Sequence, residues 1–111
     1  MKLNLIVLKS EDIDETRKFY EVFGCQFIEE RHGDGPRHYS SSINDVVFEI
    51  YPGKVANQSI TIGFCVNDLS DIKNSLFAAG RSIITEPSPD KPYLVIRDID
   101  GRTIILTQHN D

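Results

Sequence analysis

The chain alternates short apolar runs with one clear helical stretch, and does so twice. LNLIVL (Leu3 to Leu8) predicts a first strand. SEDIDETRKFYEVFG predicts a helix, with Ser10 as N-cap, acids in the first turn, and Ile13, Phe19, Tyr20 and Phe23 on one face. Gly24 is its C′ stop. CQFIEE (Cys25 to Glu30) is the next predicted strand, and RHGDGP a loop. HYSSSI (His38 to Ile43) and VVFEIYP (Val46 to Pro52) then form a predicted hairpin across Asn44-Asp45.

After PGKVANQ, a linker-like break, the order returns. SITIGFCV (Ser59 to Val66) alternates as a strand, NDLSDIKNSLFAAG is a helix ending at Gly80, and RSIITEP is a strand. SPDKP is a loop, and YLVIRDIDGRTIILTQ a hairpin turning at Asp100-Gly101. The halves superpose at a constant offset of 56: Asp12 on Asp68, Gly24 on Gly80, Glu30 on Glu86, Pro36 on Pro92, Phe48 on Ile104 and Ile50 on Leu106. Repetition at fixed spacing signals one supersecondary unit written twice. The expected architecture is α+β: two tandem βαβββ modules (1–53 and 58–108) forming a curved mixed sheet around a cleft, with the helices outside, in a single domain over 1–111.

Length and composition narrow the function. With 111 residues, 40% hydrophobic and 26% charged, the chain can bury a core without staples. A net charge of −5 argues against nucleic acid as partner. No apolar run approaches the roughly 20 residues that span a bilayer. MKLNLIVLKS has no signal-peptide cleavage pattern, so the expectation is a cytoplasmic protein with no membrane partner. Cys25 and Cys65 are expected to be small buried hydrophobes in strands rather than a disulfide.

The candidate chemistry lies on the first hairpin. A two-residue turn puts Ser40 opposite Glu49, Ser42 opposite Val47 and His38 opposite Tyr51, all on one face. The other face carries Tyr39, Ser41 and Ile43 against Val46, Phe48 and Ile50. One face is a core; the other, with an acid, an imidazole, hydroxyls and a phenol, suits the wall of a cleft. Glu49 is the candidate catalytic base or hydrogen-bond acceptor, and desolvation of a carboxylate there would suit proton abstraction. Arg37 could meet an anionic ligand. HGDGP fits neither the Walker nor the dinucleotide fingerprint and is read as a turn-rich loop able to cover the cleft.

A duplicated βαβββ unit with FY near the end of the first helix, FEIYP closing the first half and DxDG before the last strand resembles the vicinal oxygen chelate superfamily. That superfamily includes glyoxalase I, extradiol dioxygenases, fosfomycin-resistance enzymes and bleomycin-resistance proteins. Its metal-dependent members hold a divalent ion on ligands from the first and last strands of each half. Carried onto this sequence, those positions are Leu5, Glu49, Thr61 and Ile105, of which only Glu49 keeps a ligand type. The resemblance therefore implies no metal ligands of the usual kind and no cofactor. It implies a small-molecule binding protein of the bleomycin-resistance type, paired as a homodimer; the expected ligand-binding residues are Glu49 and Thr61 at the superfamily's positions together with His38, Ser40 and Tyr51 of the hairpin face. The alternative is a glyoxalase-like lyase or isomerase using a noncanonical or dimer-completed metal site.

Overall fold

The computed structural model describes residues 1–56 and 59–109. Asn57 and Gln58, in the expected linker and at the expected start of the second module, lie outside the described residues, as do Asn110 and Asp111. The chain divides into two compact units, Met1–Ala56 and Asn57–Asp111. The first contains β1 (Leu5–Ser10), α1 (Ile13–Glu21), β2 (Ile28–Glu30), β3 (His38–Ile43) and β4 (Val46–Pro52). The second contains β5 (Thr61–Val66), α2 (Leu69–Ala78), β6 (Ile83–Thr85), β7 (Tyr93–Arg97) and β8 (Thr103–Gln108). Two tandem βαβββ modules are thus present, and the mixed sheet is realised as one four-stranded sheet per module, ordered β1-β4-β3-β2 and β5-β8-β7-β6. No helix among the described residues is long and apolar enough to cross a membrane.

Both helices start and stop by the same chemistry. The Asp12 carboxylate accepts from the Glu15 backbone N–H, and that of Asp68 from Asp71. Ser10 is not the cap: it ends β1, where its buried hydroxyl accepts from the Asp12 N–H and pairs with Thr16 Oγ1 at 2.7 Å. At the other end, Gly24 and Gly80 take φ of +115° and +73°. Cys25 then donates to the Tyr20 carbonyl, and Arg81 to that of Leu76, closing each helix in a Schellman-type turn.

In the first unit α1 covers the β3–β4 face that carries Tyr39, Phe48 and Ile50. Phe19, Tyr20, Phe48 and Ile50 are fully or almost fully buried. Tyr20 meets Phe19 and Phe48 edge-on, each at 5.1 Å. The second unit's core is aliphatic: Leu76, Leu94, Ile96, Ile104 and Leu106, each removed from solvent. Each such side chain contributes about 1.5–3 kcal/mol.

The parallel pairs match residue for residue. Leu5 to Ser10 lie beside Val47 to Pro52, and Thr61 to Val66 beside Thr103 to Gln108, the same register displaced by 56. The gapless repeat fails in the middle strands. β3 pairs Tyr39 with Ile50 and Ser41 with Phe48, whereas β7 pairs Leu94 with Leu106 and Ile96 with Ile104. Along these strands the displacement is 55, as it is from β2 to β6. The missing residue is recovered in the second hairpin, whose connection is not a two-residue turn at Asp100-Gly101 but the five-residue loop from Asp98 to Arg102.

Candidate functional site

The first hairpin brings together four of the five expected ligand-binding residues. Asn44 takes φ +53° at the tight turn, and the resulting register sets Ser40 opposite Glu49 and Ser42 opposite Val47. The His38 and Tyr51 rings stack in parallel, 4.0 Å between centroids and 10° between planes. All four lie on the face away from α1. The fifth, Thr61, belongs to the second unit, where it opens β5 beside Thr103.

His38 is the buried centre of this face, 1% exposed. Its Nδ1 lies 3.2 Å from the Pro36 carbonyl oxygen and its Nε2 3.2 Å from Glu30 Oε1. Glu49 Oε2 is 3.8 Å from the same Nε2. β2 supplies Glu30 because its register sets Glu30 directly opposite His38. The His32 ring lies 5.0 Å from that of His38, with its Nε2 3.9 Å from Glu30. Lys9, beside Tyr51 in the ladder, holds its ammonium 5.3 Å from the Tyr51 ring centre. Desolvation, followed by the negative charges of Glu49 and Glu30, pushes the Tyr51 phenol up, so it remains a neutral hydrogen-bonding group.

Glu30 and His32 were not among the expected site residues. Their signal was the Glu-x-His spacing, which puts both side chains on one side of an extended segment; the strand's partner decided which side mattered. Around the polar cluster stand partly exposed Leu5, Val7, Ile28 and Val47, neighbours by register. Hollows of about 540 and 360 Å³ occur in the second unit (Leu69, Pro87, Pro92, Thr107) and at the start of α1 (Asp12, Asp14, Arg37, Pro52). Neither gathers imidazole with carboxylate, and neither is lined by His38, Ser40, Glu49 or Tyr51.

Other expectations change. Arg37 is not held out for an anion: its guanidinium grips both Asp14 oxygens at 3.1 and 3.0 Å and Glu29 at 2.8 Å. The hydrogen bonds from Arg37 to Asp14, with one from the Tyr39 hydroxyl, hold the Asp14 carboxyl well below the usual carboxylate range. The HGDGP segment is a closed turn, with Gly35 N–H donating to the His32 carbonyl at 2.9 Å and the Arg31 side chain donating to the Gly35 carbonyl. Cys25 is buried, and burial, with Glu21 nearby, pushes its thiol up to about 12. It precedes β2 rather than lying in it. Cys65 lies in β5 but is exposed, and neither cysteine is in a disulfide.

No family model and no curated protein matches the sequence. Solved structures do. A mutant of the fosfomycin resistance protein FosX from Listeria monocytogenes, complexed with Mn(II) and 1S,2S-dihydroxypropylphosphonic acid, aligns with a TM-score of 0.80 at 16% identity, covering 98% of this chain and 93% of that one. FosX from Mesorhizobium loti gives 0.76 at 19%, covering 98% and 92%. An integron cassette protein from the mobile metagenome of V. cholerae gives 0.73 at 21%, covering 99% and 96%. The chain has the vicinal oxygen chelate fold. At these identities the likeness carries architecture alone.

The fold's usual metal positions can be tested against the residues present. Leu5 and Ile105 carry no donor atom, and Thr61 offers a neutral hydroxyl. A single carboxylate, Glu49, does not make a transition-metal site. The donor set at those positions does not fit the vicinal oxygen chelate metal.

Proposed function

We propose that this chain is a small-molecule binding protein of the vicinal oxygen chelate fold, similar in role to bleomycin-resistance proteins and working without the fold's usual divalent site. The observation that carries this is the β3–β4 face: a stacked His38–Tyr51 pair with two carboxylates near the His38 Nε2, Ser40 opposite Glu49, and an apolar rim. Stacked rings offer a planar ligand a platform, and the carboxylates select hydrogen-bond donors or positive charge. Glu49 accepts from the ligand and is the residue placed to take a proton if the chain is catalytic; by resemblance alone, Thr61 joins the ligand-binding set. The half-exposed rim of Leu5, Val7, Ile28 and Val47 also supports a homodimer, since clustered apolar surface marks contact.

The test is a thermal-shift screen, with chelator present, using planar aromatic cations, bleomycin and phosphonates such as fosfomycin. A ligand that favours the native state raises the Tm saturably. One class should do so, and Glu49→Gln should keep the fold but lose most of the shift. A screen without any shift, or a shift indifferent to Glu49→Gln, would remove this reading. Sedimentation at micromolar concentration should give twice the chain mass.

A further inference from the structure

The face that carries Glu49 contains a second set of donors, away from the fold's usual metal positions. Glu30, His32 and His38 each offer a ligand atom, and these atoms lie within 4.8 Å of one another. Ligands on a tetrahedral zinc ion stand about 3.3 Å apart, given bonds near 2.0–2.1 Å. Glu30 Oε1 to His38 Nε2, at 3.2 Å, already meets that spacing. His32 Nε2 to Glu30 Oε1, at 3.9 Å, is close to it. The His32 side chain is 72% exposed, so it is free to swing the remaining distance.

The hydrogen bonding of His38 points the same way. Both of its ring nitrogens face oxygen acceptors, the Pro36 carbonyl on one side and the Glu30 carboxylate on the other. A neutral imidazole has one donor and one acceptor nitrogen, so it cannot satisfy both. With Nδ1–H donated to the Pro36 carbonyl, Nε2 is presented to the carboxylate side as a lone pair, and a backbone acceptor of this kind is what commonly orients metal-bound histidines. Glu30 and Glu49 both turn their carboxylates towards histidine, Glu30 towards His32 and His38 and Glu49 towards His38. Negative charge is therefore concentrated where that lone pair points.

We propose that Glu30, His32 and His38 form a binding site for a divalent cation of the zinc, nickel or cobalt class. Two imidazoles and a carboxylate are the borderline donor set that such ions prefer over magnesium or calcium. Three protein ligands leave a coordination position open on the face that carries Glu49, Ser40 and Tyr51. The proposal does not rest on the small-molecule reading: ligand binding in chelator tests that one, and metal binding without ligand tests this one.

The experiment is titration of the chelator-stripped full chain with Zn(II) by calorimetry and with Co(II) by visible absorption. One ion should bind per chain, saturably, with an intensified Co(II) ligand-field band. His32→Ala removes an exposed side chain, so the metal-free Tm should stay unchanged while affinity falls by at least about tenfold. Glu30→Gln should weaken binding likewise, and Cys65→Ser should leave it unaltered. Absence of saturable binding overturns the site. So does binding that survives His32→Ala at full affinity, or binding that is lost in Cys65→Ser.

Discussion

The two modules are the same plan with different middles. They share the aspartate cap, the left-handed glycine that ends the helix, and an identical register between outer and last strands. They part at the hairpin. In the first unit a two-residue turn sets Tyr39 and Ser41 on the core face, leaving His38 and Ser40 for the other. In the second, β7 has slipped by one, and the residues aligned with His38 and Ser40 at the offset of 56, Leu94 and Ile96, are core. A one-residue slip moves every side chain of a strand to the opposite face. The same motif thus builds a polar, imidazole-bearing face in one copy and an aliphatic core layer in the other.

The loop that closes the slipped hairpin is built around a buried charge cluster. The Asp98 carboxylate accepts from the backbone N–H groups of Asp100 and Arg102 and from the Arg102 guanidinium at 3.0 Å. Both side chains are nearly inaccessible. Asp98→Ala removes the nearer of two carboxylates facing the buried Arg102 guanidinium, Asp100 Oδ2 remaining at 3.6 Å, and also strips the hydrogen-bond acceptor of two backbone N–H groups; it should destabilise by about 3 kcal/mol in urea unfolding. A loss below about 1 kcal/mol would mean that the cluster does not stabilise the loop.

The shared features give a smaller test. Gly24 and Gly80 both have positive φ, and a Cβ would meet nothing within 4 Å at either position. Alanine at each therefore costs backbone strain alone, about 1–2 kcal/mol at Gly80, whose φ is close to the left-handed helical region, and more at Gly24, whose φ of +115° lies outside it. A urea midpoint for Gly24→Ala no lower than that of Gly80→Ala would show that the φ difference does not set the strain.

The smallest effect expected is specific to the first unit. Hydrogen bonds from Arg37 and Tyr39 lower the Asp14 pKa in the folded chain. A depressed carboxylate stabilises above its unfolded value, about 3.9, and that contribution fades as pH falls below it towards the folded value. Asp14→Asn should therefore lower stability at pH 7 and flatten the acid limb of a Tm-against-pH curve below about pH 4. The pair is half exposed, so salt should shrink the difference. An unchanged acid limb would remove Asp14 from the acid response.

Much of this was legible in residue order because it is local. Alternation marked the strands, His38–Ile43 and Val46–Pro52 to the residue, and Asn44-Asp45 fixed the turn that faces Ser40 with Glu49. Gly24 and Gly80 announced the helix ends; the N-cap was misplaced from Asp12 to Ser10 because both residue types cap well. The offset of 56 revealed the duplication, and four of the five expected site residues do share one sheet face.

Tertiary structure decided two matters that no local pattern carries. One is the slip of β7: a residue dropped before β6 and restored in the Asp98–Arg102 loop leaves the overall repeat length intact, so the alignment reads through it. The other is the partner of β2, which brings Glu30 and His32 to His38 across a loop of ordinary turn residues. The physical reason is the same for both. Which face a side chain occupies depends on strand pairing, and pairing is settled by contacts between residues far apart in the chain rather than by the preferences of neighbours.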